Sequence, residues 1–307
     1  MKHLFIINPT AGKNTDPEVL SNNIRQAMAG IGDEFEIYVT KAPLDATDKV
    51  RSEAEKGHDL RVYACGGDGT LNECVNGAAG FPHVALTHYA SGSGNDFLRM
   101  FGNDTSLFTD LKALINGKVH PIDLIDVCGR KSINICSLGF DARVGIGVHK
   151  YTQNPFISGT MGYVVSLLVH FIKGINRHLK ISLDGQVMEG EFALVCACNG
   201  RYYGGGFNPV PDAEPDDGLM DVLIVKKVSR PRFAVLIGKY AKGRYQEITS
   251  HVSHYRCTEI SFESEEELGI NVDGEAIFSK TPTFRMEPGA VNFIFPEGTS
   301  FLGTRNS

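Results

Sequence analysis

A glycine-rich turn between a hydrophobic strand and a helix is the feature that most constrains how this 307-residue chain can fold. Residues 60–65 favour a strand, residues 71–78 place apolar side chains on one helical face, and glycines stand at 66, 67 and 69 between them. The first amides of a helix lack partners and the helix dipole favours negative charge, so main-chain N–H groups here can bind an anion. The turn therefore predicts either a phosphate-binding loop or a plain strand-to-helix connection.

Asp68 is the one carboxylate within this turn. A carboxylate repels a bare phosphate, so we expect Asp68 to hold a divalent cation, to pair with a base, or to pin the loop. Two similar loops follow strands 4–7 and 84–87, at residues 8–13 and 91–97. Ligands of open parallel sheets bind beyond the carboxyl ends of the strands, so the three loops are expected to line one crevice. None of them has the spacing of a Walker A loop or a dinucleotide fingerprint.

The pattern of elements predicts an α/β fold followed by a β fold, with two domains at this length. Strands and helices alternate up to about residue 123, which indicates a three-layer domain with a mostly parallel sheet. Later residues alternate polar and apolar side chains between turn residues, which favours an antiparallel β-sandwich. The first part includes a predicted helix at 106–116. The second includes a strand at 132–135, an apolar helix at 159–173 and another helix at 230–242.

Composition excludes several classes of protein. A formal net charge of −6 gives no support to nucleic-acid binding. Seven cysteines without regular spacing favour reduced thiols in the cytoplasm. The N-terminus passes directly into a strand, without a signal peptide, and no apolar run reaches the ~18 residues of a membrane span. We expect a cytoplasmic protein that contacts membranes only from outside; exposed strand edges leave a homodimer open.

Four motifs in order resemble the diacylglycerol kinase catalytic-domain family, in its soluble bacterial lipid kinase branch. They are Asn8–Lys13, Gly66–Glu73, Gly92–Phe97 and Val272–Glu275. The resemblance spans nearly the whole chain and implies a nucleotide-binding domain over 1–123 with 297–307. It also implies a β-sandwich lipid-substrate domain over 124–296. The glycine-rich turn alone is shared with NAD kinases. The resemblance to lipid kinases therefore depends on all four motifs together.

The resemblance implies ATP and Mg²⁺ as cofactors and an active site in the crevice between the two domains. A kinase must cradle polyphosphate, neutralise charge and accept the hydroxyl proton. Lys13 is the expected neutralising cation. The positions that fall where the family contacts ATP are Asn8, Pro9, Thr10, Ala11, Gly12, Thr40, Gly66, Gly67, Asp68, Gly69, Thr70, Leu71, Asn72 and Ser93. For Thr40, an ordinary strand-end threonine is the plain alternative.

Carboxylates supply the expected catalytic and metal-binding groups, and the candidates are Asp68, Asp96, Asp123, Asp273 and Glu275. By resemblance Asp96 and Asp123 belong to an Asp–water–Mg²⁺ network, and Asp96 also adjoins the nucleotide. The Val272–Glu275 motif would supply the catalytic base, with Glu275 favoured and Asp273 close behind; a simple Asp-Gly hairpin is the alternative. An acidic loop at 211–219 would hold a structural Mg²⁺ through Asp217 and the main-chain oxygens of Glu214 and Leu219, unless it is only an acidic surface loop.

The expected function is ATP-dependent phosphorylation of a hydroxyl on diacylglycerol or a related lipid, transiently at the inner face of the membrane. Phosphorylation of a soluble acceptor such as NAD, and a non-catalytic nucleotide or lipid sensor, are the alternatives. Some relatives of this branch carry a lysine on the first helix of the second domain, whereas residues 162–169 have none. The lipid, the nucleoside triphosphate and the group replacing that lysine stay open.

Overall fold

The computed structural model describes residues 1–12, 16–140, 142–144 and 174–303. Lys13 and the helix predicted at 159–173 lie outside these residues. Contacts divide the chain into unit 1, Met1–Leu124 with Pro288–Ser307, and unit 2, Ile125–Glu287. Both boundaries fall within strands, β5 (Lys118–Val127) and β15 (Thr283–Phe295). The functional division expected from the sequence, 1–123 with 297–307 and 124–296, remains a prediction.

Unit 1 alternates strands with helices. Before β5 its elements are β1 (Lys2–Ile7), α1 (Pro17–Met28), β2 (Glu34–Val39), α2 (Asp45–Ala54), β3 (Leu60–Gly66), α3 (Asp68–Ala78), β4 (Val84–Ala90), a 3-10 segment (Phe97–Thr109) and α4 (Leu111–Ile115). Strands β2, β1, β3, β4 and β15 pair in parallel in that order. Every residue of β1 is buried, which explains the apolar run at residues 4–7, since central strands of a parallel sheet are covered on both faces.

The predicted helix at 106–116 is wrong in its extent. The chain instead forms the 3-10 segment and then the separate helix α4, which Asp110 begins by accepting hydrogen bonds from the amides of Lys112 and Ala113. Gly102, at a φ of 58°, interrupts the 3-10 segment. An aspartate that caps a new helix start cannot also continue the preceding one, and the apolar spacing alone did not reveal that break.

Unit 2 consists mostly of antiparallel strands. After β5 its elements are β6 (Arg130–Ser132), β7 (Ile135–Gly139), β8 (Arg177–Leu183), β9 (Gln186–Cys198), β10 (Met220–Lys226), α5 (Arg230–Tyr240), β11 (Val252–Cys257), β12 (Glu259–Glu263), β13 (Leu268–Val272) and β14 (Glu275–Ser279). Strand β9 lies between β7 and β8 and also pairs with β10. Val195 and Ala197 enter one hydrophobic cluster, whereas Leu194 and Cys196 enter another, as the two-residue period of a strand requires.

The strand predicted at 132–135 is wrong as one element, because β6 ends at Ser132 and β7 begins at Ile135. The amides of Ile133 and Asn134 do not extend the strand but donate to the carboxylate of Asp273, at 2.9 and 3.2 Å. The Asp273 side chain, distant in sequence, thus takes the place of a neighbouring strand as the hydrogen-bond partner of these two amides.

Candidate functional site

The loops after β3 and β4 touch each other through their backbones in unit 1. The Gly66 carbonyl accepts hydrogen bonds from the amides of Ser91 and Gly92, at 3.0 and 2.9 Å. A β-carbon at Gly92 would lie 2.3 Å from Gly67 Cα, closer than nonbonded atoms come. Glycine is therefore required here because no side chain fits between the loops. Both loops expose main chain at the N-terminus of α3, where Gly67 is the cap residue and offers no side chain.

His88 supports this turn and is a residue that the sequence analysis did not single out. Its ring is fully buried, and Nε2 lies 2.9 Å from the Gly66 carbonyl, so Nε2 carries the donating proton. Burial lowers the pKa of His88 to about 4, against the opposing effect of this hydrogen bond. A neutral imidazole at neutral pH leaves the loop without a fixed positive charge. The sequence signal that could have identified His88 is a histidine within an otherwise hydrophobic strand.

Asp68 pins the two loops together. Its Oδ1 accepts a 2.7 Å hydrogen bond from the amide of Asp96, at the start of the 3-10 segment. Burial raises the pKa of Asp68, and backbone hydrogen bonds from Asp96, Phe97 and Asn95 oppose that shift. Of the three roles that the sequence left open, the geometry shows the loop anchor at one carboxylate oxygen. The other oxygen, Oδ2, faces Gly94, where a β-carbon would lie only 2.6 Å away.

Asp96 approaches the same glycine. A β-carbon at Gly94 would lie 4.0 Å from Asp96 Oδ2, so the carboxylates of Asp68 and Asp96 flank Gly94. Arg99 lies 3.1 Å from Asp96 Oδ1 and balances part of the charge. Asp123 is buried on β5, where its Oδ1 accepts a 2.7 Å hydrogen bond from the Gly289 amide. Hard carboxylate oxygens of this kind suit Mg²⁺ by their chemistry.

The first loop is tied to the glycine-rich turn. Asn8 Nδ2 donates to Thr70 Oγ1 at 3.0 Å, and Asn8 Oδ1 accepts from the amide and hydroxyl of Thr10. The amide of Thr40 donates to the Ile7 carbonyl at 2.9 Å, beside this loop. The structure thus brings Asn8, Thr10, Thr40 and Thr70 to one edge of the sheet. Pro9, Ala11 and Gly12 lie in this first loop, and Ser93 lies in the third.

Three of the expected ATP contacts, Thr70, Leu71 and Asn72, have buried side chains. Leu71 is 1% exposed and Asn72 is fully buried, where its Oδ1 accepts from Asn76 Nδ2. A ligand could meet Leu71 only through its main chain. Glu73, at the end of the same motif, accepts hydrogen bonds from the amides of Leu44 and Ala46 and so caps α2. The side chains of Asn72 and Glu73 therefore stabilise the turn and its neighbouring helix rather than facing a ligand.

In unit 2, Asp273 and Gly274 form the two-residue loop of the β13–β14 hairpin. Both residues have positive φ, 50° and 98°, as the turn most common in tight hairpins requires. The Asp273 carboxylate accepts from the Ser132 hydroxyl at 2.6 Å and from the amides of Ile133, Asn134 and Ile135. Asp273 thus fixes the segment between β6 and β7. Glu275 is the first residue of β14 and is exposed to solvent.

The segment held by Asp273 contacts a second loop of unit 2. Asn134 Nδ2 donates to the Tyr202 carbonyl, and Asn199 Nδ2 donates to the Ile133 carbonyl, each at 2.7 Å. The glycine-rich and aromatic run at 202–207 begins here. Tyr203 then lies 3.2 Å from Tyr240, hydroxyl to hydroxyl. The β13–β14 hairpin, which carries Asp273 and Glu275 and is called the acidic hairpin below, and the aromatic loop at 202–207 therefore belong to one connected region of unit 2.

The acidic loop at 211–219 places an arginine against its central aspartate. Asp217 Oδ1 accepts from the Leu219 amide at 3.0 Å, and Oδ2 pairs with the Arg256 guanidinium. Arg256 also lies 3.6 Å from Asp221, which accepts from His254 at 2.7 Å. Within the described ranges, no three His, Cys, Asp or Glu side chains are grouped to hold a metal ion. The Mg²⁺ expected on Asp217 with Glu214 and Leu219 remains a prediction, and such a cation would compete with Arg256.

The chain thus combines a parallel α/β unit, an antiparallel β unit and glycine-rich loops at the ends of parallel strands. Residues 2–127 match the diacylglycerol kinase catalytic domain, and residues 134–295 match the YegS C-terminal NAD kinase β-sandwich-like domain. The chain belongs to this family of diacylglycerol and YegS-type lipid kinases. The α/β-plus-β fold class and the resemblance drawn from four motifs are both confirmed.

Individual relatives agree with that assignment. The chain is 27% identical to a diacylglycerol kinase of Bacillus subtilis, with 88% of each chain covered. It is 30% identical to a protein of Pseudomonas aeruginosa named "Probable lipid kinase YegS-like", with 92% of each covered. A crystal structure of a diacylglycerol kinase from Bacillus anthracis superposes with a TM-score of 0.72 at 26% identity, covering 97% of this chain and 98% of that one. Among the helices described, none combines the length and apolar character of a membrane span.

Proposed function

We propose that this protein transfers the γ-phosphate of ATP to a hydroxyl of diacylglycerol or a related lipid. The observation that carries the proposal is the backbone contact between the Gly66–Gly67 and Gly92 loops at the N-terminus of α3. Such contact leaves main-chain amides, rather than side chains, facing a ligand, which is how helix N-termini bind phosphate. Family membership supports the kinase reaction.

The nucleotide side of the reaction is assigned to unit 1. The loops at 8–12, 66–72 and Ser93, with Thr40, bind ATP, and Lys13 neutralises phosphate charge. Asp96 and Asp123 would contact Mg²⁺ through water molecules, as the resemblance implies, and Asp68 lies beside Asp96 at Gly94; carboxylate oxygens suit this ion. When bound, the ion neutralises charge that develops on the phosphate oxygens.

Glu275 is proposed as the group that accepts the hydroxyl proton of the lipid. It is exposed at the start of β14, so an acceptor hydroxyl can reach it. Asp273 already accepts four hydrogen bonds from Ser132, Ile133, Asn134 and Ile135, so its lone pairs are directed at the protein. Asp273 therefore positions the hairpin. The proposal requires both units to meet around the substrates, with the nucleotide against the glycine loops and the lipid near Glu275.

The acceptor is expected to lie in a membrane, because diacylglycerol does not dissolve in water. The enzyme would therefore work transiently at the inner face of the cytoplasmic membrane. Residues 124–296 are proposed to bind this lipid. Which lipid is bound depends on the shape of the apolar binding surface. Such a surface discriminates poorly between lipids with similar apolar chains.

Transfer of label from γ-labelled ATP to a panel of acceptors tests the proposal. Diacylglycerol, monoacylglycerol, phosphatidylglycerol, a sphingoid base and NAD are supplied in parallel, the lipids in detergent micelles, with and without Mg²⁺. We expect label in a lipid, only when Mg²⁺ is present, and a loss of ~100-fold or more in Glu275→Gln, the size of a general-base contribution. Label in NAD alone would identify a kinase of a soluble acceptor, and label in no acceptor would favour a sensor.

A further inference from the structure

Helix α5 of unit 2 presents an unusual outer surface. Its inner face packs Phe233, Leu236 and Tyr240 into the hydrophobic cluster against β9 and β10. Its outer face carries Pro231, Ala234, Val235 and Gly238, all exposed, and Val235 is 64% exposed. The outer face of a helix in a water-soluble protein is ordinarily polar or charged. In α5 the residues at the centre of that face are instead small and apolar.

Basic residues flank this apolar centre in the sequence. Residues 222–246 contain seven lysines and arginines and no aspartate or glutamate, in a chain whose formal net charge is −6. Two acids from outside the segment compensate part of that charge: Glu191 pairs with Lys227, and Glu247 pairs with Lys239 and Arg244. Its basic residues include Lys226, Arg232 and Lys242, all of which are exposed.

The helical positions place these charges beside the apolar centre. Arg232, Val235 and Lys239 follow a spacing of three and four residues, so they lie along one side of α5. Lys242 follows directly after the helix end at Tyr240. Long basic side chains can lie along an apolar contact while their charged ends reach anionic groups. Positive charges beside a small apolar centre are complementary to phospholipid headgroups above acyl chains.

We propose that α5 with its flanking Lys226–Lys227 and Lys242–Arg244 is the surface by which this protein docks on an anionic phospholipid bilayer. A nucleic acid is less well matched, because the centre of the face offers neither an aromatic platform nor a hydrogen-bonding side chain. The proposal deepens the membrane contact included in the proposed function and names the residues that make it. Binding to the bilayer precedes catalysis and needs neither ATP nor an acceptor lipid.

The docking surface is connected to the acidic hairpin within unit 2. Tyr240, on α5, contacts Tyr203, and the neighbouring Tyr202 carbonyl accepts from Asn134. The Asn134 amide in turn donates to Asp273. Three successive contacts therefore join the membrane-facing helix to the hairpin that carries Glu275. Docking through α5 would hold this hairpin at a fixed height above the headgroups.

Sedimentation with vesicles measures the docking without any catalytic step. The vesicles are pure phosphatidylcholine or contain about 30% phosphatidylglycerol, in about 0.1 M salt, where charges more than about 10 Å apart are screened. We expect binding only to the anionic vesicles. Each basic side chain near such a surface strengthens binding about fivefold, so Arg232→Gln with Lys242→Gln should weaken it about 25-fold. Val235→Asp should weaken it about tenfold, because it places a carboxylate in the apolar centre.

The control removes the same two charges elsewhere, through Lys118→Gln with Lys280→Gln; both side chains are exposed and lie outside α5 and its flanks. Binding by this control within about twofold of the wild type supports the assignment. Equal losses in both double variants would overturn it, as would unchanged binding after Arg232→Gln with Lys242→Gln. Tight binding to RNA but not to anionic vesicles would also overturn it. Label transfer to lipid in detergent micelles is scored separately, so failure of docking and failure of the kinase assignment remain distinguishable.

Discussion

The different surroundings of Asp273 and Glu275 predict opposite effects of mutation. Asp273→Ala removes the acceptor of the Ser132 hydroxyl and of three backbone amides between Ile133 and Ile135. At about 1 kcal/mol for each lost hydrogen bond, the free energy of unfolding should fall by about 4 kcal/mol. The φ of 50° at this position adds about 1 kcal/mol for alanine, because alanine tolerates left-handed backbone less well than aspartate.

Asp273→Asn is the milder variant. Its amide oxygen can still accept the bonds now made to Oδ1, whereas its NH₂ group faces the Ile133 amide, which donates to Oδ2. We expect a loss of about 2 kcal/mol in urea denaturation. Glu275→Gln should change the free energy of unfolding by less than about 0.5 kcal/mol, as exposed substitutions do. Its kcat with lipid acceptors should nevertheless fall ~100-fold or more.

Urea denaturation and label transfer on the same preparations decide between the two carboxylates. Asp273→Asn, assayed well below its unfolding midpoint, should retain a kcat within about tenfold of the wild type, far above that of Glu275→Gln. The reverse pattern, near-normal turnover in Glu275→Gln and none in a stably folded Asp273→Asn, would identify Asp273 as the base and refute the reasoning from hydrogen-bond geometry.

Three further predictions follow from the packing and charges. Gly92→Ala should lower the free energy of unfolding by about 2 kcal/mol because its β-carbon meets Gly67, whereas Gly69→Ala, with open space around it, should not; equal effects in urea denaturation would contradict the loop contact. Burial raises the pKa of Glu53, but hydrogen bonds from Lys56, Lys49 and Lys2 outweigh it and lower that pKa to about 2 from 4.5. This carboxylate therefore contributes about 3 kcal/mol above pH 4.5, which is lost as the pH falls toward 2. Glu53→Gln should flatten that part of the stability profile, exposed Glu55→Gln should not, and identical profiles would contradict the assignment. If the loop at 211–219 binds Mg²⁺, the ion should raise the thermal midpoint, and Arg256→Gln should lower the concentration required, because guanidinium and cation compete for Asp217. No Mg²⁺ effect in either protein would remove the metal site.

The sequence located the loops correctly because their signals are local. Glycines at 66, 67 and 92 stand directly after apolar strands, and the edge of a parallel sheet then brings such loops together. The Asp-Gly dipeptide at 273 and 274 likewise predicts a tight hairpin without knowledge of the rest of the chain. Elements and turns of this kind follow from properties of neighbouring residues.

The partners of the acidic residues could not be predicted in the same way. Asp273 contacts Ser132, 141 residues earlier, and Asp217 contacts Arg256, 39 residues later. A carboxylate that binds amides and one that binds a metal ion have the same local sequence, because both need only oxygen lone pairs. His88 was missed for a related reason: its role depends on the Gly66 carbonyl, which only the folded sheet places beside it.

Hydrogen exchange of the backbone amides, with and without a non-hydrolysable ATP analogue and Mg²⁺, tests the central claim most directly. The account predicts slower exchange in peptides that cover 8–12, 66–72 and 91–97, because phosphate oxygens would accept from these amides. The 268–279 hairpin serves as the reference region without nucleotide contacts in the absence of lipid. Unchanged exchange in all three loops at saturating nucleotide would contradict the account.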